Sequence, residues 1–114
     1  MTLLTNAQRA TMLENGRRSA AGQDIDPLPV VKLFTPDANA TWLLSELDPE
    51  DPDIAFGLCD LGLQCPELGS VRISEIASIR GKLGLPVERD RHFTADKPLS
   101  AYAEAARQAG AIRT

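Results

Sequence analysis

The sequence predicts an α+β fold in which an antiparallel β-meander of about four strands packs with three helices. Three observations lead to this prediction. Short runs rich in β-branched and aromatic residues follow one another between positions 30 and 73, joined by turns and not by long helices. Segments with helical spacing of apolar residues lie at the N-terminus, in the middle and at the C-terminus. The length of 114 residues fits a single domain over 1–114.

The first helix is predicted to begin after Thr5. Thr5 and Gln8 have the spacing of a capping box, and Gly16 is the predicted end because glycine often terminates a helix. Small, polar and proline residues follow, so residues 19–29 are predicted to form a flexible loop.

Four strands are predicted in succession. VVKLF (30–34) and TWLLSEL (41–47) are the first two, with the turn TPDANA between them. In IAFGLCDL (54–61) large and small apolar residues alternate, as expected for a strand with a helix on one face. The run GSVRI (69–73) completes the meander.

Two further helices and an extended segment are predicted in the second half. Ser74 is predicted to cap a short helix, which ends near GKLG (81–84). Pro86 excludes a helix from residues 85–93, which are predicted to be extended, and Pro98 opens the last helix. The apolar stripe of the short helix consists of Ile76, Ile79 and Leu83.

Composition argues against binding to nucleic acid. The formal net charge is -4, whereas a duplex binder gains most of its affinity from Lys and Arg residues that neutralise phosphates. Aromatic residues make up only 4% of the chain, which leaves few side chains to stack on single-stranded bases. We therefore expect no nucleic-acid partner.

No membrane segment and no cofactor are predicted. No apolar run approaches the roughly 20 residues of a membrane span, and the N-terminus turns polar by Thr5, unlike a signal peptide. Cys59 and Cys65, together with a single histidine, match no usual zinc pattern. We expect a cytoplasmic protein with two reduced thiols, and no oligomeric state is predicted.

The acidic stretch DPEDPD (48–53) has four carboxylates among its six residues. A calcium loop of the EF-hand type needs an oxygen ligand at its fifth position and glycine at its sixth, and here Pro52 and Asp53 occupy them. Acidic residues and prolines also keep an exposed strand edge from pairing with other chains. We therefore favour a solvated hairpin that protects an edge, and we predict no metal site.

No catalytic residue is predicted either. His92 is the only histidine, and no third group that would orient a nucleophile and base is recognisable. GKLG (81–84) has the glycine spacing of a nucleic-acid-clamping loop, but Leu85-Pro86 leaves no room for the second helix that such a loop joins. We interpret GKLG as a helix C-cap followed by a turn.

The densest group of basic residues surrounds GKLG. Local salt bridges with Glu75, Glu88 and Asp90 are the favoured interpretation of this group, and a single basic patch is the alternative. The basic residues concerned are Arg72, Arg80, Lys82, Arg89 and Arg91.

Several stretches together resemble a known family. The most specific are LFTPDANATWLL, PELG and GLPVERD, and the likeness extends over nearly the whole chain. The chain resembles small bacterial proteins grouped as domain of unknown function 2958. Ser70 departs from the expected pattern, in which an aromatic residue follows PELG. The resemblance implies no activity, but similar families often accompany DNA-transfer genes on mobile elements, which implies an accessory role.

From these observations we expect a small non-enzymatic binding protein of a bacterial mobile element that acts through a protein partner. The alternative is an acidic DNA-mimicking inhibitor of a host nuclease or defence complex, which would present carboxylates where DNA phosphates lie. A small metal-dependent hydrolase is the third class considered.

The predicted binding surface lies in loops, because loops on a rigid sheet commonly carry function. Successive turns of a meander lie at opposite ends of the sheet, so the first connection and DPEDPD should not form one site. The extended segment 86–92 is expected to border the first connection. The hypothesised surface combines Asp37, Asn39, Trp42, Glu67, Arg89 and His92.

Overall fold

The computed structural model describes residues 2–114 and confirms the predicted α+β fold. In chain order the elements are α1 (Asn6–Ala20), β1 (Val31–Phe34), β2 (Thr41–Asp48), β3 (Asp51–Asp60), β4 (Glu67–Arg72), α2 (Ile73–Ser78), β5 (Glu88–Arg89) and α3 (Leu99–Ala109). The strands form one sheet in the order β4-β3-β2-β1-β5, and every pair of neighbours is antiparallel. The fifth strand, beyond the four expected, comes from the segment predicted to be extended.

The helix α1 begins as predicted but continues past its predicted end. The Thr5 hydroxyl accepts a hydrogen bond from the Gln8 amide at 3.0 Å, and the Gln8 side chain accepts one from the Thr5 amide at 2.9 Å. The prediction that Gly16 ends the helix is wrong. Gly16 is buried where α1 crosses β2, and a Cβ at this position would lie 1.7 Å from the carbonyl oxygen of Leu47. Glycine at this position therefore allows α1 to pack closely on β2.

Residues 21–30 form the connection from α1 to β1, so the first two residues of the predicted loop 19–29 belong to α1. This connection supplies the N-terminal cap of α3. The Asp26 carboxylate accepts hydrogen bonds from the Ser100 hydroxyl and, at 3.1 Å, from the Ser100 amide. The Pro27 carbonyl accepts one from the Leu99 amide at 3.0 Å. Two orphan donors at the start of a helix are thereby satisfied.

The sheet is covered on both faces. On one face α1, α2 and the N-terminal residues enclose a core of mainly aliphatic side chains, which includes Met12, Leu33, Trp42, Leu44, Leu47 and Ile76. On the other face α3 packs over β3 and β4 around a smaller core of Leu43, Leu58, Leu99, Tyr102, Ala103 and Ala106. No helix among residues 2–114 combines the length and the apolar character of a membrane span.

The acidic stretch DPEDPD forms a hairpin, but it does not protect a sheet edge. The strands run to Asp48 and Asp51, which pair with each other, so only Pro49 and Glu50 form the tip. This hairpin joins β2 and β3, which are inner strands of the sheet, and therefore no edge is present for it to guard. Within residues 2–114, no group of three His, Cys, Asp or Glu side chains is arranged to hold a metal ion.

Two of the hairpin's acids bind other parts of the fold. The Arg72 guanidinium lies 3.1 Å from the Asp51 carboxylate and 3.6 Å from that of Asp53. Asp53 also accepts hydrogen bonds from the Ser74 amide at 2.9 Å and the Ser74 hydroxyl at 2.7 Å. The prediction that Ser74 caps α2 is therefore wrong, because Asp53 supplies the cap from β3 and Ser74 lies inside the helix.

Candidate functional site

Three loops meet at one end of the sheet. They connect β1 to β2 (35–40), β3 to β4 (61–66) and α2 to β5 (79–87). Strand register places them together, because Phe34 lies opposite both Thr41 and Glu88, and Thr41 lies opposite Asp60. The hairpin DPEDPD lies at the opposite end, as the meander predicts.

Asp37 joins the first of these loops to the third. Its Oδ2 atom accepts hydrogen bonds from the Leu83 amide at 2.7 Å and from the Leu85 amide at 3.2 Å. Its Oδ1 atom is buried and has no hydrogen-bond partner in the part of the chain that the structure describes. Loop 35–40 thus borders the segment before β5 at Leu83 and Leu85, just ahead of the predicted segment 86–92, and a carboxylate fixes the two together.

The segment 80–86 is a compact turn held from within as well as by Asp37. Gly81 donates to the Leu85 carbonyl at 3.1 Å, Gly84 donates to the Gly81 carbonyl at 3.0 Å, and Arg80 forms a β-bridge with Pro86. A Cβ on Gly81 would lie 1.6 Å from Oδ1 of Asp37. Only glycine therefore lets the turn approach the carboxylate so closely.

This turn presents Leu83 to solvent. Leu83 is 80% exposed, the most among the large apolar residues found exposed. The predicted placement of Leu83 on the apolar stripe of the short helix is wrong, because α2 ends at Ser78 and Ile79 is already extended, with ψ of 139°. For the same reason GKLG is a turn, as predicted, but not the C-cap of that helix.

Loop 61–66 presents two more leucines on the other side of loop 35–40. Leu61 is 60% exposed and Leu63 is 76% exposed. The loops are in close contact, because a Cβ on Gly62 would lie 2.8 Å from the Cβ of Asn39. We call the set Leu61, Leu63, Leu83 and Leu85 the leucine end, since all four are exposed and lie on the loops at this end of the sheet.

The six predicted surface residues are divided by the fold. Asp37 and Asn39 lie on loop 35–40, and Glu67 begins β4 at the same end of the sheet. Trp42 is 2% exposed and packs in the core beneath α1, so its predicted place on a binding surface is wrong. β2 alternates between the two faces, and Trp42 points into the larger core.

Arg89 and His92 are engaged with other parts of the chain. The Arg89 guanidinium donates to the carbonyl oxygens of Leu3 at 2.9 Å and Thr2 at 3.3 Å, so it fixes the N-terminal segment. His92 is exposed beyond β5, and its backbone amide donates to the Asp90 carboxylate at 2.9 Å. Within residues 2–114, no hydrogen bond joins either side chain to Asp37.

The predicted basic residues do not form one patch. Arg72 binds Asp51 and Asp53 near the DPEDPD hairpin, whereas Arg80 donates to the Ala77 and Ile79 carbonyls at the end of α2. Local bonding was the favoured interpretation, but the partners differ from the predicted Glu75, Glu88 and Asp90. The remaining two, Lys82 and Arg91, are exposed.

Sequence reasoning missed the leucines because single exposed leucines carry no signal in a sequence. Periodicity assigns Leu83 to a helix, and Leu61 lies at the end of the predicted strand 54–61. The two glycines of GKLG, one on each side of the Lys-Leu pair, are the feature that marks a tight turn at this point.

Comparison with known proteins gives one family. Residues 3–113, nearly the whole chain, match the model of a family described as Protein of unknown function (DUF2958). No curated protein and no solved structure matches the chain. The family description carries no activity, so the geometry of the leucine end is the observation from which function has to be inferred.

Proposed function

The chain belongs to the DUF2958 family, and from this premise we propose that it is a small non-enzymatic binding protein that docks on a protein partner through the leucine end. An accessory role on a bacterial mobile element, in the cytoplasm, is part of the same proposal and rests on the resemblance and on the free state of both cysteines. The observation that carries the docking proposal is the exposure of Leu83 on a turn held by hydrogen bonds.

Presenting a leucine in this way brings the isolated chain no stability. Burying a leucine side chain is worth about 1.5–3 kcal/mol, and Leu83 leaves nearly all of that unused while remaining 80% exposed. The turn beneath it is nevertheless held by Asp37, by Gly81 and by the bridge between Arg80 and Pro86. A partner with an apolar pocket would recover the burial energy.

The rigidity of the turn also favours docking. Association normally costs conformational entropy, because loops and side chains become ordered at the interface, and a loop ordered beforehand avoids part of that cost. Leu61 and Leu63, on the neighbouring loop, would enlarge the apolar contact around Leu83. An exposed apolar group of this kind, with polar residues around it, is typical of protein interaction sites.

A comparison of three proteins tests this proposal. Wild-type protein, Leu83→Ser and Leu28→Ser are immobilised and used to capture proteins from a lysate of the host cell, with circular dichroism as the check on folding. Leu28 is the matched control, since it is 49% exposed but lies in the connection 21–30. We expect a partner that wild type and Leu28→Ser retain and that Leu83→Ser loses. Equal capture by all three would contradict the proposal.

The DNA-mimic alternative predicts a different dependence. It places the working surface at DPEDPD, but Asp51 and Asp53 there are bound by Arg72 and Ser74. Among residues 2–114, the carboxylate of Asp48 accepts only the Glu50 amide of the same tip, and the side chain of Glu50 has no hydrogen bond. Changing these two to Asn and Gln should leave partner capture unchanged if the leucine end binds the partner. Loss of capture by that folded variant would favour the mimic.

A further inference from the structure

A separate cleft opens on the face of the sheet that carries α3. This helix packs over β3 and β4, whereas the ends of β1 and β2 on that face border an open space of about 580 Å³. Its apolar lining includes Phe34 and Ile112, and its polar lining includes Thr41. The space is large enough for a small molecule or a few residues of a peptide.

One carboxylate of the cleft is already satisfied by the fold. Asp60 is 4% exposed, and its two oxygens accept hydrogen bonds from the backbone amides of Gly62 and Ile112, each at 2.9 Å. Asp60 thereby ties the C-terminal segment to the end of β3. Both carboxylate oxygens of Asp60 are therefore used to hold the wall of the cleft together.

The second carboxylate, Asp90, is engaged as well. It accepts a hydrogen bond from the His92 amide at 2.9 Å and lies 3.5 Å from the Lys32 ammonium group. The His92 hydrogen bond, together with the Lys32 charge, holds the pKa of Asp90 below its ordinary value. Asp90 therefore stays ionised and acts as the counter-ion of Lys32.

The donors of the cleft, in contrast, are largely unused. The Lys32 side chain is 16% exposed, and the one ion-pair contact of its ammonium group within residues 2–114 is with Asp90, although an ammonium group has three N–H donors. The side chains of Asn39, Thr41 and Gln64 form no hydrogen bond with any other described residue, and all three line the same space. The side chains of Asn39, Thr41 and Gln64, together with the part of the Lys32 ammonium group that Asp90 does not engage, therefore have donors available to a ligand in this cleft.

The charge balance decides which acceptor fits. Two carboxylates, Asp60 and Asp90, stand against one ammonium group, Lys32, so the cleft carries an excess of negative charge. An anion would be repelled by this field, which leaves an uncharged oxygen. Carbonyl oxygens of amides accept hydrogen bonds without bringing charge.

We propose that this cleft binds an uncharged amide, whose carbonyl oxygen accepts hydrogen bonds from the donors at Thr41 and Gln64 while an aliphatic group beside it packs on Phe34 and Ile112. The amide belongs either to an extended segment of a protein or to a free small molecule. Gln64 supports the assignment, since it is the one non-glycine residue with positive φ, at 61°, among residues 2–114. Backbone strain of this kind collects at ligand-binding positions.

Three probes with the same side chain test the charge argument. N-acetyl-valine methylamide is uncharged, N-acetyl-valine carries a carboxylate, and valine methylamide carries an ammonium group. Each is titrated into the ¹⁵N-labelled protein and followed by amide chemical shifts. We expect the uncharged probe to bind more tightly than the anion, with shifts centred on residues 39–41, 60–64 and 110–112. Tightest binding of the anion, or shifts spread over the whole surface, would overturn the proposal.

Substitutions identify the donors. Thr41→Val and Gln64→Gly each remove one donor side chain. Each should lower the affinity for the uncharged probe by about fivefold, which is the contribution of one typical hydrogen bond. Gln64→Gly also relieves the left-handed backbone, so the folded state is kept. Gln108→Ala is the matched control, because Gln108 is exposed on α3 and its side chain bonds only to Glu104 among residues 2–114. Unchanged affinity in both cleft variants would overturn the assignment.

Longer probes separate the two sources of the amide. A blocked heptapeptide centred on the same valine should gain affinity over the single residue if an extended peptide is the ligand, and equal affinity indicates a free small amide. Leu83→Ser should leave binding of the uncharged probe unchanged, so the cleft and the leucine end succeed or fail independently. Loss of probe binding in folded Leu83→Ser would contradict a separate cleft.

Discussion

The carboxylate of Asp37 and the backbone amide of Leu83, 46 positions apart in the chain, are joined by a hydrogen bond of 2.7 Å. The same oxygen accepts a second bond from Leu85, so one side chain organises a whole turn. Hydrogen bonds that involve a charged acceptor are stronger than neutral ones. The order of the turn 80–86 therefore depends on a residue that lies on a different loop.

Asp37→Ala is expected to loosen the turn without unfolding the sheet. The Leu83 and Leu85 amides should then exchange with solvent at least about tenfold faster, because a hydrogen bond to a charged group is worth about 1.5–3 kcal/mol. Hydrogen exchange followed by NMR measures this change. Asp24→Ala, at an exposed position in the connection 21–30, is the control and should leave both amides as they are. Unchanged exchange in Asp37→Ala would show that the turn holds itself.

Gly81→Ala is expected to destabilise the protein by about 1–3 kcal/mol, as overpacked sites do, because the added Cβ would meet the Asp37 carboxylate. Urea unfolding measures the loss. Gly69→Ala is the control, since a Cβ there meets nothing within 4 Å. In the Asp37→Ala background the cost of Gly81→Ala should shrink, because the clashing atoms are absent. Strictly additive effects would contradict a direct clash.

Asp53→Asn is expected to lower stability in a pH-dependent way. Two hydrogen bonds from Ser74, followed by the Arg72 contact, hold the pKa of Asp53 below its usual value. A lowered folded-state pKa stabilises the protein above the unfolded pKa, about 3.9 for aspartate, and this contribution is lost as the pH falls further. The gap in unfolding midpoint between wild type and variant should be constant from neutral pH to about 5 and close below about 4.

Glu50→Gln, at the exposed tip of the same hairpin, is the control for that titration. The Glu50 side chain forms no hydrogen bond with the rest of residues 2–114. The unfolding midpoint of Glu50→Gln should therefore follow that of wild type at every pH. A gap for Asp53→Asn that stayed constant down to pH 3 would mean that the carboxylate charge of Asp53 has no part in capping α2.

The two thiols should differ in their reaction with iodoacetamide. Burial raises the pKa of Cys59 to about 11, so only about a thousandth of it is thiolate at pH 8, and it should react only after unfolding. Cys65 is exposed, but the hydrogen bond to the Glu67 carboxylate, at 3.3 Å, raises its pKa. Glu67→Gln should therefore speed alkylation of Cys65 at pH 8, as mass spectrometry would show. An equal alkylation rate in wild type and Glu67→Gln would show that Glu67 does not control the reactivity of Cys65.

Local signals in the sequence predicted the framework well. The capping box of Thr5 and Gln8 and the runs of β1 to β3 depend on neighbouring residues, and the structure contains them. The prediction that Gly16 ends α1 was wrong because Gly16 packs against Leu47, which lies 31 positions later on β2. Glycine has the same local signature whether it ends a helix or allows close packing.

The candidate site was predicted only in part, for a related reason. Loop chemistry indicated Asp37 and Asn39, whereas the exposure of Leu83 depends on where α2 ends. Beyond Ser78 the chain is held by contacts that periodicity does not reveal, among them the bond from the Leu83 amide to the Asp37 carboxylate. Periodicity alone predicts about one helical turn more than α2 contains. It therefore places Leu83 on the apolar stripe of the helix, although Leu83 is exposed.

Two helices of this protein take their N-terminal caps from distant carboxylates. Asp53 bonds the first turn of α2, and Asp26 bonds that of α3, 74 positions away. Helices of 6 and 11 residues are too short to persist alone in water, so each becomes stable only when β3 or the connection 21–30 is in place. The consequence is a one-way dependence: each helix is expected to form only after the element that caps it, and to unfold whenever that element does.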